Sequence, residues 1–167
     1  MSDPLCEALG LDFAFVADVV RLLLERGETV ATAESLTAGL VAAALTTVPG
    51  SSAVVRGGLV VYATDLKASL ADVPAELLAA HGAVHPDVAT ALAGGARRAC
   101  GADWGLGLTG VAGPDPQDGA APGTVYFGIA HSSGSSVVRL DLPGDRHGIR
   151  AGAVRAAIHG LYTALTT

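Results

Sequence analysis

The stretch ETVATAESLTAGLVAAAL, residues 28–45, joins two kinds of local order. Residues 29–34, TVATAE, are short and alternate with β-branched side chains, which suits a strand. Residues 36–48, LTAGLVAAALTTV, carry helix-forming small and apolar residues, and Pro49-Gly50 stop them. A strand that passes straight into a helix is the building unit of an α/β fold. The junction also concentrates polar groups: Thr32, Glu34, Ser35 and Thr37.

The same alternation of elements extends in both directions. Upstream, FAFVADVVRLLLERG (13–27) spaces apolar residues at helical intervals and stops at Gly27. Downstream, AVVRGGLVVYA (53–63) is β-rich, with Gly57-Gly58 as a candidate bulge. TDLKASL predicts a short helix, PAELLAA a second with Pro74 in its first turn, and PDVATALAGGARRAC a third opened by Pro86. WGLGLTG (104–110) reads as a buried strand, followed by the loop VAGPDPQDGAAP. GTVYFGIAH and SSVVRLDLP form a hairpin around SSGS, and a long amphipathic helix covers about 145–165. Strands separated by helices, with a late hairpin, predict a three-layer α/β/α sandwich whose sheet is mixed, mostly parallel and about five-stranded. No repeat or linker divides the chain, so residues 1–167 are expected to form a single domain.

Composition narrows the function. Half the residues are apolar but only 4% are aromatic, so Ala, Val and Leu must build the core. No apolar run is long enough to span a bilayer, and MSDPLCEALGLDFAF has no secretion pattern. Cys6 and Cys100 are too few for a disulfide framework or zinc site, so a cytoplasmic protein is expected. A net charge of −6 disfavours nucleic acid and anionic membrane as partners, while leaving room for a small anionic ligand. Nine of the ten basic residues are Arg, and Lys67 is the sole lysine. Arg stays protonated, so chemistry that needs a neutral amine has one candidate side chain.

In open α/β sheets ligands collect at the carboxyl ends of strands, where Ser35 falls. Ser35 or Glu34 can serve as an N-cap, the commoner use of such residues. The same geometry also suits a nucleophile, because helix-entry amides can hold an oxyanion. A serine then needs a base. His81, His85, His131, His147 and His159 are scattered, and the His81/His85 pair is followed at once by Pro86, so no metal site is expected. Lys67, among apolar residues, fits a base if burial lowers its pKa to about 7–8; a solvated helix lysine is the alternative.

The motifs AESLTAG, VPGSS, GGLVVYATDLK, HGAV, LTGVAGP, GTVYFG and GDRHGIR together resemble the CinA C-terminal domain family of competence/damage-inducible proteins, over residues 14 to 165. That family includes nicotinamide-mononucleotide amidohydrolases. The resemblance implies hydrolysis of the nucleotide's carboxamide to nicotinic acid mononucleotide and ammonia, without cofactor or metal. It implies Ser35 as nucleophile, Lys67 as its base, and Tyr62 and Glu34 beside them. Thr37, Thr109, Gly110 and Gly113 are implied to meet substrate, together with Arg146 or Arg150. These two arginines, four apart on one helical face, suit a phosphate or surface ion pairs with Asp141 or Asp145. GPDPQDG is a candidate lid over the nucleotide, or a plain exposed loop. A homodimer is also implied.

The family's usual serine motif is E-S-C-T-G-G, whereas this chain has ESLTAG. Ala38 is expected to be strained if its φ is positive, and Leu36 to crowd its neighbours. His85 stands where a serine is common, at an expected capping position. Two other readings remain: a non-catalytic nucleotide-binding module, and an amidase acting on a related nucleotide-linked amide.

Overall fold

The computed structural model describes residues 1–167. Its elements are α1 (Pro4–Leu9), α2 (Phe13–Arg26), β1 (Val30–Glu34), α3 (Leu40–Thr46), β2 (Val55–Val60), α4 (Thr64–Ala71), α5 (Ala75–His81), α6 (Pro86–Cys100), β3 (Trp104–Gly110), β4 (Thr124–His131), β5 (Gly134–Asp141) and α7 (Arg146–Thr166). The sheet order is β2-β1-β3-β4-β5. β1 pairs in parallel with β2 and β3, while β3–β4 and β4–β5 are antiparallel. The sheet is therefore mixed, with its parallel half formed first along the chain. β2 carries one extra residue, Arg56, immediately before Gly57-Gly58.

Helices cover both faces, giving the α/β/α sandwich. One core joins α1, α2, α3 and α7 to Val30, Leu106, Leu108, Val125 and Phe127 of the sheet. The other packs α4 and α6 onto Ala31 and Ala33. Small residues make the second contact close: a Cβ at Gly105 would collide with the Ala93 carbonyl, and one at Gly107 with that of Ala89. α6 therefore rests almost on the sheet backbone, in keeping with the shortage of aromatic residues.

Three local expectations change. The helix expected at 36–48 begins only at Leu40, because residues 36–39 form turns in which Ala38 has φ 47° and Gly39 φ 93°. Pro74 caps α5 rather than lying in its first turn. α7 is not a simple amphipathic helix: Ala151, Gly152, Ala153 and Val154 are buried in succession. It packs against α1, α2, α3 and the sheet, so its buried surface extends well around the axis. α1, absent from the sequence reading, is capped by Asp3, whose carboxylate accepts from Leu5 and Cys6 N–H. His85 caps α6 through Nδ1, which accepts from Asp87 N–H at 3.2 Å.

Candidate active site

Ser35 is the first residue past β1, and its N–H donates to the Leu108 carbonyl of β3 at 3.0 Å. This bond keeps the chain in line with the sheet for one more residue. Ala31 and Ala33 pack toward α4 and α6; strand alternation therefore turns Ser35 to that same face. Ser35 lines a cavity of about 430 Å³ with Leu36, Tyr62, residues 110–117 and Arg146. That size suits a small-molecule ligand.

Glu34 belongs to the opposite face. Its fully buried carboxylate accepts from Thr32 Oγ1 at 3.0 Å, Val41 N–H at 2.8 Å and Ala42 N–H at 3.2 Å. It thus neutralises the first turn of α3 and is no part of the cavity wall, contrary to the sequence expectation. The anion at the start of α3 is therefore protein-borne, and Ser35 is left without a capping role.

Because α3 starts late, the turn after Ser35 keeps main-chain donors free. Ala38 N–H donates to the Ser35 carbonyl, and Leu40 N–H to that of Thr37. The N–H groups of Leu36 and Thr37 meet no protein acceptor. Thr37 Oγ1 is the one buried side-chain polar atom without a partner, and Thr37 is fully buried rather than part of the cavity lining. Leu36 is 4% exposed and joins the core beneath α7.

Lys67, on α4, is 1% exposed. Its Nζ donates to the carbonyls of Val61 at 2.8 Å and Tyr62 at 3.1 Å. Burial lowers its pKa from 10.5 to about 8, opposed by the negative charge of Asp118. A neutral amine has two N–H bonds and one lone pair. The two carbonyls match the two N–H bonds and leave the lone pair unengaged. Val61 N–H in turn donates to the Glu34 carbonyl at 2.9 Å, so this segment runs alongside the Ser35 junction. Both recorded bonds of Nζ go to main-chain carbonyls and neither to Ser35.

The remaining candidates separate into wall and scaffold. Tyr62 is 58% exposed at the cavity mouth, where its hydroxyl accepts from Arg146 Nη2 at 3.0 Å. Arg146 Nη1 also donates to the Gly113 carbonyl at 2.6 Å. Arg150, one turn on, donates from Nε to the Leu36 carbonyl at 2.8 Å and does not line the cavity. The arginine pair is thus divided: Arg146 borders the ligand space, and Arg150 braces the turn after the serine. Gly110 and Gly113 are in the wall. A Cβ at Gly110 would come within 2.7 Å of the Thr124 carbonyl oxygen.

Thr109 is buried, and its hydroxyl donates to the Ala83 carbonyl at 2.7 Å. With its proton so used, it ties the end of β3 to the α5–α6 loop and is not an oxyanion donor. The sequence reading did not place Leu36 in the wall; residues 114–117 of the candidate lid, including the carboxylate Asp115, line the same cavity as Arg146. The Pro-rich, polar loop composition was the available signal for residues 114–117. Leu36 had none, since its apolar side chain suits a core.

An α/β/α sandwich with a strand-end serine, a cavity beside it and a buried lysine on the same face defines the class of protein. Comparison with known proteins gives the family. The CinA C-terminal domain profile matches residues 13–165. A CinA-like protein of Mycolicibacterium gilvum is 48% identical over 162 residues, covering 96% of this chain and 38% of the relative. One of Frankia casuarinae is 48% identical over 149 residues, covering 89% and 34%. The chain thus spans little more than a third of the curated relatives it matches. The crystal structure of the competence damage-inducible protein A (ComA) from Klebsiella pneumoniae superposes with a TM-score of 0.89 at 34% identity, covering 92% of this chain and 96% of that one. The chain belongs to the CinA C-terminal domain family. None of its helices is long and apolar enough to cross a membrane.

Proposed function

We propose that this domain hydrolyses the carboxamide of nicotinamide mononucleotide, with Ser35 as nucleophile and Lys67 as general base. The observation that carries the reading is the pairing of a strand-end serine at a ligand-sized cavity with a buried lysine of pKa about 8 on the same sheet face. The cavity also offers one cation, Arg146, and one anion, Asp115. A pyridinium mononucleotide carries the matching charges, phosphate for Arg146 and ring cation for Asp115.

In this mechanism neutral Lys67 takes the Ser35 hydroxyl proton as Oγ attacks the amide carbon. The N–H groups of Leu36 and Thr37 receive the developing oxyanion. Collapse breaks the C–N bond, and protonated Lys67 gives its proton to departing ammonia. Water then attacks the acyl-enzyme, Lys67 accepting its proton and returning it to Ser35 as nicotinic acid mononucleotide leaves. The step requires the amine and hydroxyl to meet on substrate binding, since free-state catalytic hydrogen bonds often tighten only in the complex.

Neither hydrogen bond of Nζ reaches Ser35, which favours a second reading, a nucleotide-binding module without turnover. Ammonia release from nicotinamide mononucleotide, measured alongside calorimetric binding in the native protein and Ser35→Ala, decides between them. Release by the native protein and its loss in the variant supports the enzyme. Tight binding with no release from the native protein supports the module.

A further inference from the structure

We propose that Asp118 is a positioning residue that pins the cavity wall to the α5–α6 loop. Its consequence for turnover rests on the function proposed above; the pinning itself rests on geometry alone.

Residues 117–120 form a closed turn. Gln117 N–H donates to the Ala120 carbonyl at 3.0 Å, and Ala120 N–H returns a bond to the Gln117 carbonyl at 2.8 Å. Asp118 and Gly119 between them have φ 50° and 76°. Positive φ at both central positions is the two-residue hairpin turn that Asp-Gly favours. The segment GPDPQDG thus ends in a tight tip.

That tip is docked. Asp118 Oδ2 accepts from Ala83 N–H at 2.8 Å. Its carboxyl occupies the space beside Gly82, where a Cβ would lie 2.6 Å from Asp118 Cγ. Gly82 also has φ 72°, so position 82 needs glycine for two separate reasons. One residue on, the Ala83 carbonyl accepts the Thr109 hydroxyl. A continuous run of contacts thus links the wall tip to the end of β3, beside Ser35, and residues 114–117 of that wall line the cavity.

The charge of Asp118 also bears on Lys67, opposing the effect of burial. α5 and α6, packed on α4, carry Glu76, His81, Asp87, Arg97 and Arg98, with His85 capping α6. Asp87 lies 3.8 Å from His85, Arg98 pairs with Asp72 at 3.4 Å, and Arg97 reaches the Asp103 carbonyl. On α4 itself Asp65 is exposed, and Glu34 is held on the other face of the sheet. Asp118 is the charged group acting on the amine, and it favours the protonated form. In the proposed reaction this is the form that must donate to ammonia, so the carboxylate steadies Lys67 when the leaving group departs.

The test exploits the single lysine. Protein labelled with 13C,15N-lysine gives one side-chain Cε signal, assigned without ambiguity, whose titration reports Lys67 directly. Asp118→Asn keeps an acceptor for Ala83 N–H and removes the charge. It should move the Lys67 midpoint acidward by a few tenths of a pH unit, as expected for one solvent-screened charge. An unmoved midpoint overturns the effect of that charge on Lys67. Asp118→Ala also removes the acceptor and should speed amide exchange at Ala83 and across residues 112–122 at least tenfold, with Asp118→Asn close to native. Equal protection in all three proteins overturns the pinning. Neither reading needs turnover, so both stand if ammonia release fails. Where the native protein does release ammonia, Asp118→Ala should raise KM, and Asp118→Asn should move the acid limb of kcat with the NMR midpoint. Rates and limb unchanged in both variants would remove Asp118 from the reaction.

Discussion

The pH dependence of turnover tests the chemical role of Lys67. Burial brings its pKa to about 8. At pH 7 about one molecule in eleven then holds a neutral amine, against about one in 2,500 for an unperturbed lysine near 10.4. Raising the pH to 9 should increase kcat/KM for nicotinamide mononucleotide about tenfold, with a midpoint near 8. Lys67→Arg keeps a cation in every state and should lose ammonia release across the range. The assay is continuous enzymatic detection of ammonia between pH 6.5 and 9.5. Stability provides an independent check. Between pH 8 and 10.5 the unfolded chain holds a proton on Lys67 that the native protein has released, so unfolding free energy should rise with pH through that window. The rise is at most about 3–4 kcal/mol, from a shift of some 2.5 pH units at 1.36 kcal/mol each. Below pH 8 both states are protonated and the native protein carries the full cost of burying the charge. Lys67→Met should flatten this slope in urea titrations. A rate profile flat from pH 7 to 9, or substantial turnover in Lys67→Arg, would refute the assignment of Lys67 as base.

Glu34→Ala removes three hydrogen bonds at the start of α3 and should lower stability by about 3 kcal/mol in urea unfolding. Ala38→Gly relieves an alanine at φ 47° and should stabilise by about 1 kcal/mol, raising Tm by about 2–4 °C in calorimetry. Arg146→Ala should raise KM about tenfold or more, while Arg150→Ala, which frees the Leu36 carbonyl, should act mainly on kcat; steady-state kinetics separates the two. The homodimer that the family resemblance implies is checked by sedimentation velocity at micromolar concentration, where a single species of twice the chain mass is expected and a monomer would rule it out.

Local chemistry made much of the fold legible. The alternation of 29–34, the helical spacing of 13–27, and the glycines and prolines between elements follow from backbone sterics that act within a few residues. The start of α3 was misjudged because LTAG has no strong breaker except Gly39. A left-handed Ala38 is a conformation the surrounding structure imposes against local preference. Recurring motifs made Ser35 and Lys67 candidates, but motifs do not reveal which side of the sheet a residue faces once a strand ends.

By itself, then, the sequence determined the layered α/β/α class, the single lysine and the placing of Ser35 at a strand end, because each depends on residue type and short-range spacing. Tertiary structure alone decided that Glu34 serves α3, that Arg146 and Arg150 do different work, that Thr109 spends its proton on Ala83, and that Asp118 docks on the Ala83 N–H. Those outcomes depend on which distant segments share a sheet face, and long-range packing sets that. The depressed pKa of Lys67 belongs with them: a lysine becomes a weak acid at neutral pH only when a closed fold removes its water.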